Sequence, residues 1–413
     1  NPTGSGANLT NLPAANLTGT LPAISGANLT GINTAFGNSS VNTTGIITAT
    51  AFVSSQGALS NRNRIINGNF IIHERGGTIA SSNGNYSLDR WRMYRAGDSS
   101  GGFSVQQSLA SYPQTNIAGV IDNFKASAFI TVTSAGSAAA NNNCKFQQRI
   151  EGSNVYDLAF GTAVAKKVTV SFYVKCSLTG TFGMSLVNSA HNRSNVLTYT
   201  VNSASTWERK IVTFDGDTSG SWDFGNGTGL QLMFDMGSGS SKQTDSTGTW
   251  VSGEYHGTSS SVKLIHTNGA TMQYAGVQLE AGSVATPFEH RSYEDELQRC
   301  RRYYQVILDR STDSGEDSGL GGTVYTGNGG VYVPVRFNPM MRSKPTVESS
   351  SAGNEFRTRH GDLVLFDSFS GFNTASRRGG TLITSASGNK TVGDYYWIET
   401  DQGSAKLAVS AEL

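Results

Sequence analysis

The sequence predicts an all-β protein: a fibrous N-terminal segment, then two regions of short strands joined by one short helix. Three observations predict this. Gly occurs 49 times in 413 residues, and Ser, Thr and Asn gather with it in turn-forming clusters. Apolar and polar residues alternate with period two, most clearly in Val168, Val170, Phe172 and Val174 against Thr169, Ser171, Tyr173 and Lys175. No Asp, Glu, Lys or Arg precedes Arg62, so the first 61 residues differ in kind from the rest.

Composition narrows the class. With 31 basic and 30 acidic residues the net charge is +1, which gives no basic surplus for nucleic acid. No apolar run nears the roughly 18 residues that cross a bilayer, so no membrane insertion is expected. Cys144, Cys176 and Cys300 form no Cys-x-x-Cys pair, and an odd count points to free thiols. The chain opens on Asn1, and a longer parent protein is expected.

Residues 1–61 repeat themselves. Ala-Asn-Leu-Thr starts at Ala7, Ala15 and Ala27, and Leu-Pro-Ala at Leu12 and Leu21. Leu or Ile recurs at 9, 12, 17, 21, 24, 29 and 32. One chain has no core in which to bury them; three chains wound about one axis would. The segment is therefore expected to be a trimeric stalk and attachment segment; the alternative is a flexible Gly/Asn/Thr linker.

Residues 62–286 form the body. Besides 168–175, Leu230, Leu232, Phe234 and Met236 alternate, and shorter strands are expected at Ile130–Thr133, Phe182–Val187, Trp207–Phe214 and Ser261–Ile265. Turn clusters such as Asp215-Gly216-Asp217 and Gly225-Asn226-Gly227 separate them. Regularly spaced strands without a long helical pattern predict a β-sandwich. Trp91 and Trp207 stand beside strand starts and are assigned to the core. Trp222 and Trp250 sit in Gly/Ser/Thr-rich loops and are the body's glycan-binding candidates.

Residues 287–305 form the linker. Pro287 bars a helix before it. Ser292 and Asp295 make a capping box, so a helix is expected over 293–304, with acids leading and Arg299, Arg301 and Arg302 closing it. Tyr293, Leu297, Cys300 and Tyr304 are spaced four, three and four apart. That is a coiled-coil seam setting a three-fold register, or the stripe of a helix docked on a body.

Residues 306–413 form the tip. Val331, Val333, Val335 and Phe337 alternate with Tyr332, Pro334 and Arg336; Pro334 marks an edge or bulged strand. Further strands are expected at Asp362–Phe366, Asp394–Thr400 and Ala405–Ser410, about six in one small sandwich. Tyr395, Tyr396 and Trp397, with Phe369 and Arg377 nearby, are the tip's receptor candidates; in a strand, Tyr395 and Trp397 point one way and Tyr396 the other.

Two resemblances add to this. Val277-Gln278-Leu279-Glu280, then Ala285-Thr286-Pro287-Phe288-Glu289-His290-Arg291, then Cys300-Arg301-Arg302-Tyr303-Tyr304, resemble bacteriophage tail fibre proteins of the marine and cyanobacterial type. Ile66-Asn67-Gly68-Asn69-Phe70, Asp89-Arg90-Trp91, Gln147-Gln148-Arg149-Ile150-Glu151 and the strand closing at Glu280 resemble carbohydrate-binding modules with a jelly-roll body. The calcium site of those modules is not expected, because Ile71 follows where an acid usually stands.

Together the resemblances imply a virion tail fibre made in the host cytoplasm. It would act as a homotrimer, join phage tail or baseplate proteins through its N-terminal side, and bind a host surface polysaccharide. No catalytic residues, metal or cofactors are expected: the six histidines are scattered and no nucleophile elbow or phosphate loop occurs. Two alternatives are a polysaccharide-trimming tailspike enzyme, whose paired carboxylates sequence alone does not reveal, and a purely structural virion decoration or baseplate protein.

Overall fold

A computed structural model describes residues 61–413 of the chain, except 77–78, 81–84, 98–100, 116–119, 121, 138, 311–318, 325–329, 351–352, 361, 385–389 and 402–404. The expected stalk falls outside the described residues. Those residues are almost all β, with one α-helix among them.

The body strands are β1 (Ile79–Ala80), β2 (Tyr86–Leu88), β3 (Trp91–Ala96), β4 (Gly102–Ser108), β5 (Ser127–Ser134), β6 (Asn143–Glu151), β7 (Val168–Cys176), β8 (Gly180–Val187), β9 (Arg193–Val201), β10 (Glu208–Phe214), β11 (Thr228–Asp235), β12 (Trp250–Ser252) and β13 (Thr271–Ala281). They form a six-stranded sheet, β1-β4-β5-β13-β7-β10, facing a seven-stranded sheet, β12-β9-β8-β11-β6-β3-β2. The chain passes repeatedly from one sheet to the other, as in a jelly roll. Alternate side chains fill the space between them: Val170, Phe172 and Val174 from one sheet, Met93, Phe146, Met184 and Phe234 from the other.

The opening landmarks lock this sandwich. Gly68 presses on β13: a Cβ there would collide with the Val277 carbonyl, so only glycine fits. Asn67 receives the Trp91 indole N–H at its carbonyl (3.0 Å), and its side-chain amide donates to the Ile72 and Asp89 carbonyls. Trp91 is fully buried and stacks on Phe146 at 4.9 Å, where the sequence assigns it. Part of the outer face of the six-stranded sheet is covered: Tyr173, Trp207, Phe124 and Phe288 pack there as a second apolar layer.

One expected body strand is absent. Ser261–Ile265 runs into a short 3₁₀ turn at Leu264–His266. The reason is Ile265, which is buried against Gly101, Gly136 and Gly237 and draws the chain inward.

Helix α1 (Tyr293–Arg301) starts as predicted: Ser292 Oγ accepts from the Asp295 N–H at 3.2 Å and donates to its carboxylate at 2.7 Å. It ends three residues early. Arg302 and Tyr303 are drawn to the body's Glu151, with Arg302 Nε and Nη2 donating at 2.9 and 2.6 Å and the Tyr303 hydroxyl at 2.7 Å. Leu297 and Cys300 pack on Ile66, Ile72 and Tyr303 of the same chain, Tyr304 opens the next strand, and Tyr293 lies exposed. The stripe is therefore that of a helix docked on a body.

The tip strands are β14 (Tyr304–Asp309), β15 (Gly319–Val324), β16 (Val331–Arg336), β17 (Thr346–Ser349), β18 (Phe356–His360), β19 (Asp362–Phe366), β20 (Phe369–Ala375), β21 (Gly379–Thr384), β22 (Tyr395–Thr400) and β23 (Lys406–Ser410). That is ten strands where about six were expected. They form a three-stranded sheet, β14-β23-β17, and a seven-stranded sheet, β19-β18-β22-β15-β16-β21-β20, around a separate core. Pro334 pairs with Thr381 of β21, while β15 meets β16 only at Val331 and Tyr332, so the proline's missing N–H falls where the strand has one neighbour.

Body and tip belong to one unit, Ser54–Leu413. Glu412 of the tip side is shared by Arg75 and Arg90 of the body, and the Arg90 guanidinium lies 3.5 Å from the Tyr303 ring centre.

Candidate functional site

The outer face of the seven-stranded body sheet carries rows of polar and charged side chains. Alternation on β3 and β6 sends Trp91, Met93, Phe146 and Ile150 inward, so Arg92, Tyr94, Lys145, Gln147, Arg149 and Glu151 point outward. Pairing aligns them across the sheet: Tyr86, Arg92, Gln147, Met233 and Ser185 form one rung, and Tyr94, Lys145 and Asp235 the next.

A roof covers half of this face. Residues 253–258 cross β8, where a Cβ on Gly183 would lie 2.5 Å from the Gly257 Cα and 2.8 Å from the His256 carbonyl. The roof is tied down through Glu254, which binds Lys145, Lys242 at 2.7 Å and His191 at 2.9 Å. Burial alone would raise the Glu254 pKa. Hydrogen bonds from His191 and His256 and the Lys145 charge outweigh it and hold the carboxyl well below the usual carboxylate range. Burial, then Lys145, pushes His256 down to about 4, and burial pushes Lys145 down to about 8 against the pull of Glu254.

The other half carries Tyr86, Arg92, Tyr94, Gln147 and Arg149. Beside it runs the chain around Leu413, whose backbone oxygen accepts from the Tyr86 hydroxyl at 2.7 Å and from Arg149 at 2.8 Å. Tyr86 also lines a cleft of about 600 Å³ with Arg75, Arg342, Lys344, Glu348 and Glu412. Gln147 is fully buried, yet neither its carboxamide nitrogen nor its oxygen has a partner among the described residues. The same holds for the Ser185 hydroxyl and for Arg92 Nε. Buried polar atoms are normally paired, because leaving one bare costs about 1–3 kcal/mol. An amide with both functions open offers one donor and one acceptor side by side, the pattern that vicinal sugar hydroxyls satisfy.

The sequence candidates fall elsewhere. Tyr395 and Trp397 lie together on the outer face of the tip's seven-stranded sheet, 55% and 44% exposed. They rest over a glycine strip of β15: a Cβ on Gly321 would strike the Tyr395 hydroxyl, and one on Gly319 would lie 2.5 Å from the Trp397 indole nitrogen. Tyr396 points the other way into the core, 8% exposed, as the alternation requires. Phe369 is also core, packed on Phe356 and Phe366 at 5.2 and 5.4 Å, and presents no face to a ligand. Arg377 donates to the Met341 carbonyl and holds a loop.

Trp222 and Trp250 are partly buried rather than free in loops. They sit edge to face at 5.3 Å, both against Phe160, and their N–H groups donate to the Ser219 and Asp215 carbonyls. These outer-face residues of β3 and β6 were not among the sequence candidates. Their one sequence signal is Lys145-x-Gln147-x-Arg149 alternating with Phe146 and Ile150, which reads equally as an ordinary solvated face.

No protein-family model matches the chain, and no curated protein matches it. Among solved structures, the chain is similar to the enzymatically active domain of tailspike protein 4 of bacteriophage CBA120, at 11% identity over 54% of this chain and 22% of that one, with a TM-score of 0.29. It is also similar to the module TmCBM61 in complex with β-1,4-galactotriose, at 10% identity over 53% of this chain and 99% of that one, with a TM-score of 0.26. A third is the family 11 carbohydrate-binding module from Clostridium thermocellum in complex with a β-1,3-1,4-mixed-linked tetrasaccharide, at 10% identity over 50% and 100% of the two chains, with a TM-score of 0.25.

Proposed function

We propose that this chain is a glycan-binding attachment protein of a bacterial virus, a tail fibre that works as a homotrimer and holds a host surface polysaccharide on the polar outer face of its body. The observation that carries the binding site is Gln147: a fully buried carboxamide on that face, unpartnered among the described residues. The viral setting rests on the resemblance of residues 276–305 to tail fibre proteins, and the trimer on that resemblance and on the stalk repeat.

The reaction is binding without turnover. The acids Glu254, Glu151 and Glu412 are each held by two or more cationic or hydrogen-bonding side chains, and Glu348, half-exposed in the cleft, lies 3.6 Å from Arg75. Those ties fix the first three as structural anions. The exposed pair Tyr395 and Trp397 gives the tip a second surface on which a sugar ring stacks weakly. Three copies would multiply weak contacts by effective concentration.

An array of bacterial surface polysaccharides, probed with the intact chain at a solution mass near three times 43.7 kDa by light scattering, tests this. The expected result is retention on one or a few polysaccharides with no release of reducing ends. Released reducing ends would favour the trimming enzyme; a trimer that binds nothing would favour the structural virion component.

A further inference from the structure

We propose that a cleft between the linker and the six-stranded body sheet binds one 2-acetamido sugar unit. That the ligand is a sugar rests on the glycan-binding reading; the cleft itself is separate from the polar face of the seven-stranded sheet. Its volume is about 410 Å³, within the usual range for a small-molecule site, and its lining is mainly apolar with a few polar groups.

Three parts of the chain meet there. Leu109 follows β4, Phe124 and Ala126 precede β5, and Tyr293 opens α1. Leu109 and Tyr293 are 66% and 54% exposed, so the cleft has two large apolar side chains that the fold itself leaves uncovered. Covering them is favourable, and a tyrosine ring presents a flat face to the C–H bonds of a sugar ring. The floor is fixed. Phe124 is buried, and a Cβ on Gly276 would lie 2.3 Å from its ring, so the ring is seated on that glycine. Half-buried Ile71 also lines the cleft.

Two lining residues carry bare polar atoms. Asn69 is buried, and its Oδ1 has no partner among the described residues. Arg291 uses its Nη1 on the Ile65 carbonyl and Glu296, and its Nη2 on the Asn63 carbonyl and Glu289, while its buried Nε has no partner among the described residues. Bare buried atoms of this kind occur elsewhere in the fold. At this cleft, one acceptor and one donor accompany an apolar floor and exposed apolar walls.

An acetamido group carries the complement: an N–H for Asn69 Oδ1, a carbonyl for Arg291 Nε, and a methyl group for Phe124 and Ile71. A hydroxyl at the same sugar carbon lacks the methyl and spans less of the polar pair. Asn123 adds a contact for a ring hydroxyl: its Oδ1 is taken by the Thr115 N–H at 3.0 Å, which leaves its amide nitrogen to donate.

The test titrates the intact chain with N-acetylglucosamine and N-acetylgalactosamine, each against glucose and galactose, by saturation-transfer NMR. At least one acetamido sugar is expected to bind roughly tenfold tighter than its parent, the worth of one or two hydrogen bonds, with the strongest transfer at the acetyl methyl. Asn69→Leu should bring that ratio towards one. Tyr293→Ala and Leu109→Ser, both at exposed positions, should weaken the acetamido sugar several-fold with an unchanged melting temperature, and they read the cleft even if Asn69→Leu does not fold.

Equal binding of acetamido and parent sugars would overturn the assignment. So would a preference that survives Tyr293→Ala and Leu109→Ser, because the sugar would then sit elsewhere. Binding of N-acetyltyrosine amide, with none of the four sugars bound, would assign the cleft to a polypeptide and overturn it too. A polysaccharide retained on the array with no acetamido sugar bound would sink this cleft alone. Acetamido sugars bound here with their preference lost in the variants, and undiminished in Gln147→Met, would support the cleft and count against the polar face of the body.

Discussion

Phe146 and Gln147 are adjacent on β6 and do opposite work. Phe146 turns into the sandwich and stacks on Trp91 and on Tyr274. Gln147 turns out and is equally buried, but its polar atoms go unmatched. The roof beside it answers its own polar groups and is pH-sensitive as a result. His256 is neutral in the fold, with its pKa near 4 against an ordinary 6.5. Below pH 6.5 the unfolded chain takes up a proton that the folded chain refuses, so stability falls as pH drops from 6.5 towards 4. Glu254, held below the usual carboxylate range, loses its contribution in the same direction. The combined loss is expected to be about 1–3 kcal/mol by pH 4, since each pKa unit is worth about 1.4 kcal/mol. Urea unfolding of wild type and His256→Gln across that range measures it: the variant should show the shallower dependence, and equal slopes would mean that His256 is not the sensor.

At the scale of elements, reading the sequence succeeded where a local rule met no competitor. The alternation of 168–175 is β7, that of 230–236 is most of β11, and the capping box starts α1 where Ser292 places it. Ser292→Ala should cost about 1 kcal/mol in thermal or urea unfolding, the usual worth of an N-cap; no loss would mean the docked face alone holds the helix. The readings that missed were each overruled by a distant partner. Glu151 ends α1 by claiming Arg302 and Tyr303 from far along the chain. Three glycines from separate loops receive Ile265 and turn an expected strand into a 3₁₀ turn. The burial of Gln147 was illegible for the same reason. Lys145, Gln147 and Arg149 look like a solvated strand face until Glu254 binds Lys145 and the chain at Leu413 meets Arg149.

On the scale of the whole molecule, one side of the body is partly covered by an apolar layer around Phe124 and Phe288, and the other is polar and roofed over part of its area. The tip joins the body through Glu412, Arg75 and Arg90, and Arg342 donates to the Ala411 and Glu412 carbonyls at 2.7 and 2.9 Å. A fibre built this way would present the body's polar face and the Tyr395–Trp397 face on one chain, and three copies would engage a repeating polymer together. The central claim is that Gln147 serves a ligand and not the fold, and Gln147→Met separates the two. The most direct measurement is therefore the variant's polysaccharide affinity beside its unfolding free energy. We expect binding to fall at least about tenfold while stability holds or rises, because an apolar side chain of similar size removes an unmatched buried amide. Unchanged binding, or a fold that weakens by more than about 1–2 kcal/mol as if a made hydrogen bond had been lost, would contradict it.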